Sequence, residues 1–219
     1  MLHLASDLGD NSKPLPTFKD WGRFLATNRF NLFVGDMGQD EMIEAIRLLR
    51  NRHFNLVHGH PSTFFHISRW ASSLGSSAIS INYFESSGET LLDHYRQQIE
   101  RSFNCKTINR YGLAEAGIVA YQFDLNTSSM IALPHVSHVE DTSEKLGEIT
   151  LTPYNNDSFS LVRYQTGDLG VVERGLQHTI IHDIKGRTHS AETFGETVLS
   201  TSLIMDILTH RIKGVIDFQ

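Results

Sequence analysis

The hydrophobic pattern of this chain changes period once, near Gly117, and that change limits the folds open to it. Before it, short apolar runs alternate with stretches whose apolar residues recur every three or four positions. After it, apolar and polar residues alternate singly, and Asn, Asp and Gly mark the bends, as at Asn155-Asn156-Asp157. The first pattern belongs to strand–helix–strand units with parallel strands, the second to half-buried strands joined by turns. An α/β fold is therefore expected: βα units to about Ile108, followed by a strand-rich region.

The spacing of Met42, Ile46 and Leu49 predicts a helix from Asp40, with Asp40 as its cap. A strand is expected over residues 55–58. Pro61-Ser62 opens a second helix to about Leu74, with Ser62 as its N-cap. Ile79, Ile81 and Tyr83 alternate as a strand does, and Leu92, Tyr95, Ile99 and Phe103 mark a third helix from about Thr90. A strand over 105–108 follows. Further strands are expected at 117–123, 130–133, 148–152, 160–164, 169–173 and 178–184, and a last helix near 196–210. Residues 1–20 are polar and carry Pro14 and Pro16, which reads as a loop or frayed segment. Residues 21–186 are expected to form the main domain, and 187–219 a hinge region and terminal helix.

Composition narrows the function classes. With 40% hydrophobic and 20% charged residues in 219, the chain can build a sizeable core. A net charge of −6 and scattered Lys and Arg argue against a nucleic-acid partner. No apolar run approaches a membrane span. Asp7, Asp10 and Asn11 interrupt any signal-peptide core. The single cysteine, Cys105, allows no intrachain disulfide and fits a reducing compartment. The expectation is a cytoplasmic protein without nucleic-acid or membrane partners.

Four short motifs carry the chemistry. Tyr111-Gly112-Leu113-Ala114-Glu115 follows a strand and offers an aromatic face, a backbone that can be approached closely and a carboxylate. Arg163-Tyr164-Gln165-Thr166-Gly167-Asp168 places a second carboxylate after a tight Thr-Gly turn at a strand end, able to accept two hydroxyl hydrogen bonds at once. Gly186-Arg187 adds a guanidinium fork. Ser86-Ser87-Gly88-Glu89 lies between a strand and a helix, with Gly88 open to a flat ligand and Glu89 able to cap the helix that follows. No lysine stands where a phosphate loop would need one. Each motif alone also fits a plain turn with a solvated side chain.

In this order the four motifs resemble the nucleotide-binding half of adenylate-forming (AMP-binding) ligases, most nearly the phenylacetate–CoA ligase branch and its capsule-biosynthesis relatives. The resemblance runs from about Asn55 to about Leu208. It implies that 21–186 is a partial adenylation domain corresponding to the later part of the family's large domain. It also implies ATP or AMP with Mg2+, a small carboxylic acid as substrate, and CoA or another thiol as acceptor. Tyr111 would then stack on adenine, Glu115 would be the catalytic metal ligand, Asp168 would hold the ribose, and Arg187 would contact ribose or phosphate. Ser87, Gly88, Glu89, Gly112 and Ala114 would line the nucleotide pocket. Pro61-Ser62, preceded by His60, resembles the family's acyl-pocket region, so His60 and Ser62 are candidate acyl contacts.

The chain departs from the family at Ala114, where a threonine hydroxyl usually meets the α-phosphate, and at Thr188–Ala191, which contains no hinge aspartate. Neither the Ser/Thr/Gly-rich lysine loop nor the C-terminal lid can be read in these residues. Two functions stay open on these grounds. One is an acyl-adenylating ligase that is truncated, or completed by a partner chain or missing segments. The other is a degenerate adenylate- or acyl-binding module. A histidine metal site is not expected: His58 and His60 fall on opposite sides of an extended strand, and His135, His138 and Glu140 would meet only at a turn.

Overall fold

Parallel strands need long crossovers, and the helical spacing of the first hundred residues supplies them. In the computed structural model, which describes residues 1–5, 22, 26–33, 38–75, 79–143, 145–155, 160–187, 191–194 and 197–200, the chain forms two units, Met1–Arg110 and Tyr111–Gln219. The division lies within the stretch 21–186.

The first unit contains strands β1 (Leu2–Ala5), β2 (Phe30–Phe33), β3 (Leu56–Gly59) and β4 (Tyr83–Ser86), and the start of β5 (Lys106–Leu113). All are parallel, in the order β2-β1-β3-β4-β5. Helices α1 (Gln39–Asn51), α2 (Pro61–Ser73) and α3 (Asp93–Phe103) connect them. The core joins Leu2, Val57 and Phe84 on the strands to Met42, Phe64, Ile67 and Phe103 on the helices, each at most 1% exposed. Phe64 stacks on both Phe84 and Phe103, with ring centroids 4.5 and 4.7 Å apart.

Several local expectations are corrected here. Leu2–Ala5 is a strand rather than a loop, because Leu2 and Leu4 bury in the sheet at 0 and 2% exposure; residues 6–20 lie outside the described residues. At α1 the cap is Gly38, whose N–H donates to Glu41 Oε2 at 2.7 Å, so Asp40 lies inside the helix. At α2 the proline takes the first helical position and His60 becomes the N-cap, displacing Ser62 into the first turn. Ile79 and Ile81 are buried, yet they precede β4 rather than belonging to it.

The second unit is antiparallel. It holds β6 (Gly117–Tyr121), β7 (Met130–Ala132), β8 (Ser137–Val139), β9 (Gly147–Pro153), β10 (Tyr164–Arg174) and β11 (Thr179–Arg187). Their order is β6-β7-β11-β10-β9-β8. Val119, Ile149, Leu151, Val172 and Ile181 are fully buried at its centre. Of the strand expected at 160–164 only Tyr164 is strand: it begins β10, which takes in the strand expected at 169–173 and whose register with β9 shifts between Gln165 and Leu169. A further hairpin pairs β12 (Ala191–Phe194) with β13 (Thr197–Ser200). Residues 197–200 are thus strand, not the start of a helix, and 201–210 lie outside the described residues. Among the described residues no helix is long and apolar enough to cross a membrane. The chain has the expected α/β architecture, βα units followed by a strand-rich region.

Candidate functional site

Thr166-Gly167 decides where Asp168 points. Gly167 adopts φ 76°, in the left-handed region, inside β10 rather than at its end. The tight turn expected there is therefore a bulge, which re-aims a side chain without ending the strand. It is pinned on three sides. Thr166 Oγ1 donates to Ile149 O at 2.9 Å and accepts from Asp168 N at 3.1 Å, and Gly167 N donates to Glu148 Oε1 at 2.9 Å.

The bulge leaves Asp168 8% exposed, with its carboxylate toward Tyr111. Tyr111, near the end of β5, donates its O–H to Asp168 Oδ2 at 2.8 Å. Arg187 is the cross-strand neighbour of Asp168 on β11, and its Nε stands 3.7 Å from Oδ1. Burial pushes the Tyr111 phenol well above its ordinary range, and the charge of Asp168 adds to the shift, so the phenol remains a donor at neutral pH. Tyr111 is itself only 8% exposed, so its ring is packed and its hydroxyl committed to the carboxylate.

Glu115 lies in the exposed turn after β5, and Tyr164 donates its O–H to Oε1 at 3.1 Å. That hydrogen bond raises the Tyr164 pKa. Beside Ala114 and Glu115 opens a concavity of about 450 Å³, walled by Ile118, Leu133, Val136 and Pro153 with His135 on its polar side. Gly112 has a local explanation. A Cβ there would stand 2.8 Å from Gly117 O, so the missing side chain admits the chain's own backbone.

In the first unit, Gly88 has φ 86°, and a Cβ would stand 2.5 Å from His60 Cε1, so glycine is required on both counts. Glu89 caps a different helix from the one expected: its Oε2 accepts from Ser62 N at 3.3 Å, in the first turn of α2 rather than α3. Glu89 Oε1 also lies 3.7 Å from His60 Nδ1. Ser87 Oγ accepts from Arg110 Nη2 and Nε at 3.0 and 3.3 Å.

Arg110 was not singled out by sequence reasoning, nor were His3 and Glu85 near it, and His58 was weighed only as a metal ligand. Its Nη2 meets His58 Nε2 at 3.2 Å, and His58 Nδ1 lies 2.9 Å from Glu85 Oε2. His3 stacks on His58 with centroids 5.1 Å apart. Burial first, then the Arg29 guanidinium, lowers the His3 pKa to about 4. His3, His58 and Glu85 are direct neighbours across β1, β3 and β4. Only the strand register exposes this grouping, and residues so far apart in sequence carry no local signal of it. Tyr111, Asp168 and Arg187 come together within the second unit, and Glu115 is tied to Tyr164 there. Ser87, Gly88, Glu89, His60 and Ser62 gather within the first.

No protein-family model matches the chain, and no curated protein does. Solved structures do. A 2-hydroxyisobutyryl-CoA ligase in the postadenylation state, in complex with R3-HIB-AMP, is 15% identical at a TM-score of 0.69, over 97% of this chain and 49% of that one. An ATP-bound RpMatB-BxBclM chimera is 17% identical at 0.56, over 91% and 42%. A variant of coronafacic acid ligase from Pectobacterium brasiliense is 18% identical at 0.52, over 84% and 39%. The chain spans half or less of the length of these proteins. The likeness is one of fold: this chain is built like part of these proteins.

Proposed function

We propose that the chain supplies the nucleotide-holding part of an acyl-adenylating ligase of the phenylacetate–CoA ligase kind. In such a reaction a carboxylate oxygen attacks the α-phosphorus of ATP, pyrophosphate departs, and the acyl-AMP is then opened by a thiol such as CoA with release of AMP. The observation that carries this reading is the Tyr111–Asp168–Arg187 group. Asp168 is held by a phenol on one oxygen and keeps lone pairs for the two ribose hydroxyls. Arg187 stands beside it with its head exposed, placed to donate to ribose or phosphate.

Glu115 fits the part of a magnesium carboxylate. Magnesium is held through one or two carboxylates together with substrate phosphates, and among the described residues no cluster of three or more His, Cys, Asp or Glu forms a cage of its own. Mg2+ on ATP would neutralise phosphate charge there, while Tyr164 fixes the rotamer of Glu115. Within the first unit, Ser87, Gly88 and Glu89 are proposed as nucleotide contacts and His60 and Ser62 as acyl contacts.

Ala114 favours a second reading, a binding module without ligase activity, because no hydroxyl is offered to the α-phosphate. Calorimetry with AMP tests the shared part. Asp168→Ala should remove charge-assisted ribose bonds of about 1.5–3 kcal/mol, a loss of roughly ten- to hundredfold in affinity. Unchanged AMP affinity would overturn the site. Carboxylate-dependent ATP–pyrophosphate exchange by the 219-residue chain would sink the binding-module reading.

A further inference from the structure

The second unit has another concavity, of about 380 Å³, lined by one arginine and two histidines in a protein of net charge −6. Its walls include Ser137, His138, Tyr154, Arg174, Gln177 and His178, and among the described residues no Asp or Glu lines it. In a chain with 25 Asp and Glu against 19 Lys and Arg, an arginine and two histidines together, with no carboxylate among the described residues of the wall, mark an anion site rather than average surface.

The basic groups stand on fixed backbone. Arg174 ends β10 and pairs in register with Thr179, and the intervening turn is closed by Gly175 N donating to His178 O at 2.9 Å. His138 is held in β8 opposite Thr152. Two large side chains of the wall stand open: Tyr154 is 56% exposed, and Leu176 is fully exposed. Ser137 is 2% exposed, and its buried hydroxyl has no hydrogen-bond partner. Buried hydroxyls are seldom left so, and this one lies in the wall of the hollow.

We propose that this hollow binds a phosphate monoester carried on an aromatic body. The guanidinium fork of Arg174 and the imidazole N–H groups of His138 and His178 match the phosphate oxygens. Tyr154 and Leu176 cover the ring. The volume lies within the range of small-molecule sites, more than a lone phosphate needs. The site uses none of Tyr111, Glu115, Asp168 or Arg187, and so stands independently of the adenylate reading.

The test is calorimetry and histidine-ring NMR on the full chain with phenyl phosphate, inorganic phosphate and phenol as probes. Phenyl phosphate should bind best, shifting His138 and His178 signals. Arg174→Gln should weaken it about tenfold or more, while Asp168→Ala leaves it unchanged. His178→Gln gives a second variant at another wall position. AMP is itself such a monoester, so it is titrated against both variants: a loss with Asp168→Ala belongs to the adenylate site, and a loss with Arg174→Gln to this one. Three results would overturn the proposal: no phenyl phosphate binding at millimolar concentration, equal binding of all three probes, or binding indifferent to both Arg174→Gln and His178→Gln.

Discussion

Replacing Tyr111 with phenylalanine isolates one interaction. The ring stays, so the apolar burial of a side chain only 8% exposed is kept, and what disappears is one O–H donated to Asp168 Oδ2 at 2.8 Å. A hydrogen bond to a charged partner contributes about 1.5–3 kcal/mol. Little compensates for it. The Asp168 side chain is 12% exposed, and Arg187, whose side chain is 68% exposed, stands 3.7 Å away. Such exposed pairs contribute about 0–1 kcal/mol. The expected loss is therefore about 2 kcal/mol in urea unfolding followed by circular dichroism, with m unchanged. A double-mutant cycle with Asp168→Asn should give a coupling energy of about 1 kcal/mol or more. The variant should also lose part of its alkaline sensitivity. The Tyr111 pKa is raised in the folded state, so its stabilisation is fully present below the unfolded value of about 10 and is lost as pH rises beyond it. Cys105, raised to about 12 by burial, has the same sign and leaves a residual slope. A phenylalanine variant within about 0.5 kcal/mol of the parent, with no coupling to Asp168, would refute the argument.

Gly88→Ala should destabilise by about 1–3 kcal/mol, from positive φ and overpacking together; His60→Ala added to it should restore only part of the loss, since the backbone strain remains. Phe64→Ala should cost about 3–5 kcal/mol in chemical unfolding, because the ring is fully buried between Phe84 and Phe103. Cys105 should resist a thiol reagent at pH 8 in the native chain and react once unfolded, its thiol being buried and its pKa raised to about 12; rapid native labelling would contradict that burial.

The parts of this fold legible in sequence are those where a long period repeats. Helices α1, α2 and α3 announce themselves because Met42, Ile46 and Leu49, or Tyr95, Ile99 and Phe103, return to one face at every turn. The strand β1 opens a stretch whose Asp, Asn, Ser and Pro residues read as loop, and β2 lacks the helix start that Pro61-Ser62 gives directly after the equally short β3. Ser137–Val139 was missed as well. At the candidate site, Tyr111, Asp168 and Arg187 were readable as motif residues, but their contact was not. It depends on a bulge at Gly167, and a one-residue shift in a strand turns every later side chain to the other face. The Arg110–His58–Glu85 group needed the register of parallel strands, which no local pattern encodes.

The β10–β11 hairpin, joined through the turn Gly175–His178, also bears on the order in which the molecule assembles. Hairpins of this kind close in about 1–10 μs, whereas parallel pairing such as β3 with β4 must wait for the intervening helix to dock. The meander of the second unit therefore has a local strand pair to start from, whereas the described strands of the first unit pair only in parallel. Within the second unit the Tyr111–Asp168 bond joins residues 57 positions apart. Closing so long a loop costs more chain entropy than closing the four-residue hairpin turn, which favours an order in which Asp168 is paired on β10 before Tyr111 docks.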